Sequence, residues 1–157
     1  MTATPTTPGY AHTQTAPLCL MLYAVGIAAV ILALLTGDSP GIIIAGTVGS
    51  VMLLLAPCVH HLTIEDRGAV LAIRFGPVPL FRRTLKYADI GSVEIGRTLL
   101  VDGWGIHYSV RGGWVWNLWG RTCVVVHFKD GGTLRIGTDD GENLAGFLAS
   151  KIGHQGV

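Results

Sequence analysis

The stretch that decides the fold is Pro17–Val59. It reads PLCLMLYAVGIAAVILALLT over 17–36, GDSPG over 37–41 and IIIAGTVGSVMLLLAPCV over 42–59. A helix needs about 17–25 predominantly apolar residues to cross the hydrocarbon core of a bilayer. Both apolar runs meet that length, and neither contains Lys, Arg, Asp or Glu. The intervening Gly37-Asp38-Ser39-Pro40-Gly41 consists of residues that punctuate helices and favour turns. The reading is a two-helix transmembrane hairpin over 17–59, with the rest of the chain held at a membrane surface. A cleaved secretory signal is disfavoured, because residues 1–16 carry no Lys or Arg and a second span follows the first at once.

Outward from the hairpin, residues 1–16 (MTATPTTPGYAHTQTA) lack apolar periodicity and are expected to form a disordered tail, with His12 solvated and without a role. Residues 60–153 suffice for one small domain with its own core, and 154–157 form a short tail. All 11 Lys and Arg lie after Val59, against 9 of the 10 acidic residues, Asp38 being the tenth. That balance of +2 is too weak for a nucleic-acid partner, which requires a concentrated basic surface. The turn 37–41 has no basic residue, whereas Arg67, Arg74, Arg82, Arg83 and Lys86 follow the second span. The positive-inside rule therefore puts the domain in the cytoplasm. Small residues four apart, Ala24 with Ala28, Ala29 with Ala33, Ala45 with Gly49 and Gly46 with Ser50, offer close helix–helix approach. Pro57 marks where the second helix gives way.

From Val59 the apolar period becomes two. His61–Glu65 alternates, Asp66-Arg67-Gly68 turns the chain, and Ala69, Leu71, Ile73 and Phe75 share one face, a strand hairpin by pattern. Leu80–Leu85 and Ser92–Ile95 read as further short strands. Arg121–Phe128 is β-branched, Lys129-Asp130-Gly131-Gly132 is a hairpin turn and Thr133–Gly137 returns. The period then becomes helical. Thr138, Asp139 and Asp140 supply N-cap side chains, and Leu144, Phe147, Leu148 and Ile152 form one apolar face that ends at Gly153. The expected fold class is a membrane α-hairpin plus an α+β domain of six or seven antiparallel strands and one C-terminal helix.

Gly103-Trp104-Gly105-Ile106, the Gly- and Trp-rich insert that ends at Gly120, Asp130-Gly131, and Leu134-Arg135-Ile136-Gly137-Thr138-Asp139-Asp140 before the helix resemble the bacterial PH-like (pleckstrin-homology-like) domains, many of which carry a two-helix membrane hairpin. The resemblance covers about residues 60–153. It implies a partly open antiparallel β-barrel capped by the C-terminal helix, in a multi-pass protein of the bacterial cytoplasmic (inner) membrane. It implies little about function, since one fold hosts many functions. Phosphoinositide-binding relatives use a basic cluster in the first strand hairpin. Here that hairpin holds Asp66-Arg67-Gly68, so such a site is not carried over.

All four tryptophans fall within 104–119. Trp and Tyr suit membrane interfaces and protein-binding surfaces alike, and they also fill cores. Trp104, Trp114, Trp116 and Trp119, with Arg111 among them, are the candidate partner-binding residues. Arg82, Arg83 and Lys86, with Arg74, are the candidate basic face toward anionic lipid, where each cation near the surface contributes on the order of 1 kcal/mol. Cys58, His60 and His61 are close in sequence, but no C-x-x-C or H-E-x-x-H spacing is present, and neither metal nor cofactor is expected. Cys19, Cys58 and Cys123 are too dispersed for a disulfide framework. Asp139, Asp140 and Glu142 are explained by a helix N-terminus. No activated nucleophile is recognisable, and Gly46–Ser50 lacks the Lys of a phosphate loop. The expectation is a non-enzymatic membrane protein that acts as a protein-interaction module or accessory subunit of a membrane complex. Its partners are then membrane lipids through the hairpin and a membrane protein or a second copy. The alternative is a lipid-sensing domain that reads anionic headgroups.

Overall fold

The computed structural model describes residues 9–36, 39–78, 80–99 and 102–153. Two helices, α1 (Leu18–Thr36) and α2 (Ser39–Leu55), pack as an antiparallel hairpin. Gly37 and Asp38 of the expected turn lie outside the described residues. Ser39, Pro40 and Gly41 form the first helical turn of α2 rather than loop, a place where Pro is tolerated because its missing N–H would be unsatisfied anyway. Leu18–Thr36 and Ser39–Val59, the second including the 3-10 turn that follows α2, are long and apolar enough to cross a membrane. Their large apolar side chains stand exposed, Leu34 and Leu35 at 77% and Leu54 at 73%. The β domain therefore does not cover them.

On α1 the seam differs from the expected four-residue spacing, whereas on α2 it uses two of the expected small residues. On α1 the buried residues are Cys19, Gly26 and Ala33, seven apart. A seven-residue stripe is the seam of two helices that cross at a shallow angle. On α2 the seam uses Gly49, with Gly46 against Ala33. After Leu55 a short 3-10 turn (Ala56–Val59), opened by Pro57, ends the helix.

Among the described residues nine strands follow the element order β1 (Ala11–Thr15), then, after the hairpin, β2 (His61–Asp66), β3 (Val70–Phe75), β4 (Arg82–Lys86), β5 (Ile90–Arg97), β6 (Gly105–Tyr108), β7 (Trp114–Asn117), β8 (Thr122–Phe128) and β9 (Thr133–Gly137). The helix α3 (Gly141–Gly153) closes the domain. They form two sheets, β1-β2-β3-β4 and β5-β8-β9-β7-β6. The sheets are not closed into a barrel, and β7 pairs with β9 in parallel, so the second sheet is mixed. The α+β class is as expected, whereas the expected partly open antiparallel barrel of six or seven strands is replaced by two separate sheets, one of them mixed, with more strands. The extra strands come from the Trp-rich insert, which is a hairpin (β6–β7) rather than a loop, and from the N-terminal segment. The link from β7 to β8 passes over the end of β9. Gly137 sits beneath it, where a Cβ would collide with the Asn117 side chain.

The core lies between the sheets. Leu62, Ile64, Leu71, Ile73 and Phe75 face Val124, Val126, Leu134 and Ile136, and Leu144 and Leu148 of α3 complete it. Each such side chain contributes about 1.5–3 kcal/mol on burial. Phe147 and Ile152 pack at its margin, as the helical period requires. Thr138 Oγ1 accepts from the Asp140 amide at 3.0 Å, which satisfies a donor just before α3.

The tail expectation fails for Ala11–Thr15, and residues 1–8 and 154–157 lie outside the described residues. β1 pairs antiparallel with β2, Ala11 opposite Glu65 and Thr15 opposite His61. Its side chains find distant partners. Tyr10 stacks on Phe147 at 5.4 Å and donates to Asp140 Oδ2 at 3.0 Å. His12 Nε2 lies 2.6 Å from Asp139 Oδ1, so His12 is not an idle solvated residue.

Candidate functional site

The site is built on the free edge of the first sheet. β4 (RRTLK) alternates, and Leu85 is buried on the core side. Arg83 shares that face, opposite the buried Ile73, whereas Arg82, Thr84 and Lys86 point outward. The basic residues therefore split. Arg82, Lys86 and Arg74 lie on one face, and Arg74 is already tied to Glu65 at 3.1 Å. Arg83 stands alone on the other face, at the open mouth between the two sheets. Burial holds its guanidinium pKa below the ordinary value. Among the described residues none lies within hydrogen-bond or ion-pair distance of it.

Arg83 lines a cleft of about 540 Å³ with Lys86, Asp89 and the turn residues Lys129 and Asp130 of the β8–β9 hairpin. It also lines the adjoining groove toward Tyr108, Arg111 and Trp114, and a third, more apolar one toward Phe81, Ile106 and Trp116. The first two hold four cations, Arg83, Lys86, Lys129 and Arg111, against the carboxylates Asp89 and Asp130. Trp114 is 45% exposed and meets Tyr108 edge-on at 5.9 Å. Sequence separation of 28 residues hid the convergence of Arg83 with Arg111. The mixed topology brings them together.

Of the remaining tryptophans only Trp116 touches this surface, at the floor of the apolar groove, and Trp104 and Trp119 lie apart from it. Trp116 is only 8% exposed and tilts against Phe75 at 5.9 Å, so it belongs to the core. Trp104 and Trp119 stack on each other at 4.2 Å, in a separate apolar cleft with Leu99 and Arg121. Asn117, fully buried, positions both of their loops by donating from Nδ2 to the carbonyls of Gly103 (3.3 Å) and Gly120 (3.0 Å). Sequence reading missed Asn117. A buried amide is the residue type that satisfies crossing loops, but nothing local marks it.

A Ser, a His and an Asp do approach one another. Ser109 Oγ donates to Asp102 Oδ1 at 2.9 Å, and the Leu99 amide donates to Asp102 Oδ2 at 3.0 Å. His107 Nε2 lies 3.9 Å from the same carboxylate. Burial would raise the pKa of Asp102, but those two donors and the charges of His107 and Arg135 outweigh it and hold it low. Nucleophilic catalysis needs the His on the Ser. Here the Ser109 hydroxyl donates its hydrogen bond to the carboxylate and is itself 2% exposed, so the trio locks a loop rather than activating a hydroxyl. Cys123 is fully buried, and burial pushes its thiol up to about 11. With Cys19 and Cys58 changed to Ser, the folded protein should take up no maleimide at pH 7.5 in the time that denatured protein labels fully. Labelling at equal rates would place the thiol at the surface.

Among the described residues no group of three or more His, Cys, Asp or Glu is placed to hold a metal ion. His60 and His61 approach each other with Nδ1 atoms 3.2 Å apart, and Cys58 bonds instead to the Leu54 carbonyl. Compared with known proteins, the chain matches no family model and no curated protein.

Proposed function

We propose that the chain is a membrane-anchored, non-enzymatic interaction module, an accessory subunit that receives an acidic segment of a membrane-protein partner in the cleft at Arg83. In this reading the hairpin crosses a bacterial cytoplasmic membrane twice and the β domain, of PH-like descent, lies on the cytoplasmic side. The exposure of the apolar helix faces and the placement of every Lys and Arg after the hairpin support the anchoring. Two facing sheets followed by one C-terminal helix support the PH-like relationship.

One observation carries the docking site. Arg83 is a half-buried cation on the core-facing side of an edge strand, without a partner among the described residues. A buried charge is costly unless paired. A carboxylate reaching between Trp114 and the β8–β9 turn would pair it, and bidentate Arg–carboxylate contacts are the strong ones. The competing role for such a residue is to guard the free strand edge against stray pairing.

The two separate in an affinity purification of tagged full-length protein from its native membrane in mild detergent. The expected result is a stoichiometric membrane protein, reduced at least about tenfold by Arg83→Glu, the penalty of opposed charges at the contact. It should persist with Arg97→Glu, an equal charge change at the exposed end of β5. Equal recovery with Arg83→Glu would reduce Arg83 to an edge guard. Folded wild type that brings down lipid alone would end the accessory-subunit reading.

A further inference from the structure

We propose that the end of the β domain beside the helical hairpin is a lipid-facing surface, formed by the exposed side chains of Val78 and Leu80 on one side and by the Trp104–Trp119 stack on the other. This rests on the reading that the hairpin spans a bilayer. It is independent of the Arg83 cleft.

The loop after β3 is pressed against the end of the second helix. The Gly76 amide donates to the His61 carbonyl at 2.6 Å. A Cβ on Gly76 would stand 2.5 Å from the Pro57 carbonyl oxygen and 2.7 Å from that of Cys58, and its φ of +60° suits glycine. The backbone is thus held against the last residues before β2. Just beyond, Val78 is 51% and Leu80 62% exposed, while Phe81 turns back to the core. Arg82, exposed, follows.

The Trp pair sits by the start of the first helix. Gln14, four residues before Leu18, donates from Nε2 to the Trp119 carbonyl at 3.3 Å. Ala16, Leu18, Val59 and Trp119 all pack at the margin of the same core. Trp104, stacked on Trp119, remains 45% exposed, and the cleft beside them, about 420 Å³, has Arg121 at its rim.

Continuity with the helix ends decides the occupant. The polar layer of a bilayer extends about 5–7 Å beyond each hydrocarbon face, so groups flanking the points where α1 and α2 leave the domain lie at its level. Aliphatic side chains there recover burial that water denies them. Indole rings favour that layer, and Arg82 and Arg121 can extend to phosphates beside them.

Spin labels test this on the full chain, with Cys19, Cys58 and Cys123 changed to Ala, reconstituted in phosphatidylcholine vesicles with and without phosphatidylglycerol. Labels go at Leu80→Cys, Trp104→Cys, Ile27→Cys in α1, and Arg67→Cys in the distant β2–β3 turn. Collision with oxygen, which enters lipid, is compared with collision with a water-soluble nickel chelate. The expected result is that oxygen dominates at 27, both 80 and 104 shift from the aqueous pattern toward it, and 67 stays aqueous, in both lipid mixtures. An aqueous pattern at 80 and 104 with lipid contact at 27 overturns this surface while leaving the spanning hairpin intact. An aqueous pattern at 27 overturns the hairpin reading itself, and this inference with it. Shielding of 80 and 104 from both agents shows protein there instead of lipid. A shift seen only with phosphatidylglycerol assigns the contact to the arginines and likewise overturns it.

Discussion

Asp66→Ala is expected to destabilise the β domain by about 3 kcal/mol, which lowers its melting temperature by roughly 12–24 °C. Asp66 is the hub between the first sheet and α3. Its Oδ1 accepts from the Tyr87 hydroxyl at 2.7 Å and from the Gly68 amide at 2.9 Å. Its Oδ2 meets Lys151 Nζ at 3.0 Å, and that ammonium lies 5.3 Å from the ring centres of both Tyr87 and Phe147. Removing the carboxylate leaves a buried hydroxyl without an acceptor and a cation without its counter-charge, the situation in which one lost partner costs most. All four tryptophans lie in 104–119, so tryptophan emission follows this unfolding without interference from the hairpin.

The same residue has a pH signature. Burial alone would raise the pKa of Asp66, but the bonds from Tyr87, Lys151 and Gly68 outweigh it and set it below the ordinary 3.8. A depressed carboxylate stabilises the fold at pH above its unfolded value. That contribution is lost as pH falls from about 3.8 through the folded pKa. Asp66→Asn should therefore flatten the acid limb of the stability profile, leaving the part due to Asp102, which is also held low. An unchanged acid limb would show that Asp66 is not ionised in the fold.

Gly49→Leu is expected to open the helical hairpin. A Cβ there would stand 2.8 Å from the Gly26 carbonyl oxygen and 3.0 Å from the Val30 amide nitrogen. Both are backbone atoms that cannot rotate away, so the helices must separate. Forced overpacking costs about 1–3 kcal/mol, a loss on the order of tenfold in the close-packed population. A cross-link reads this directly. A Cβ on Gly46 would lie 3.8 Å from that of Ala33, within the separation that a disulfide spans. Ala33→Cys with Gly46→Cys should oxidise readily within one chain, and adding Gly49→Leu should suppress the bond. Equal cross-linking with and without Gly49→Leu would mean that the seam lies elsewhere.

Periodicity carried much of this fold. The apolar runs at 17–36 and 42–59 became the two helices, with Pro57 at the close of the second. The alternation of His61–Glu65 and 69–75, the β-branched run before Phe128 and the i, i+3, i+4 pattern of α3 each appeared close to where they were read, because the side-chain period follows from local backbone geometry. Candidate-site residues were legible by type alone. Arg82 and Arg83 are neighbours in sequence yet face opposite ways, and the four tryptophans divide among core, cleft and stack.

The division into an apolar helical hairpin, a β-rich segment and a terminal helix is legible in the chain alone, since each is set by residue type over one or two turns or strands. Only the tertiary structure made a strand of Ala11–Thr15. Its contacts reach from Thr13 to Thr63 and from Tyr10 to Asp140, and no local pattern encodes bonds between residues 50 and 130 positions apart. The tertiary structure likewise brought Arg83 together with Arg111 and Trp114. Which charge faces a cleft depends on how two sheets meet, and that is decided by the packing of the core between them.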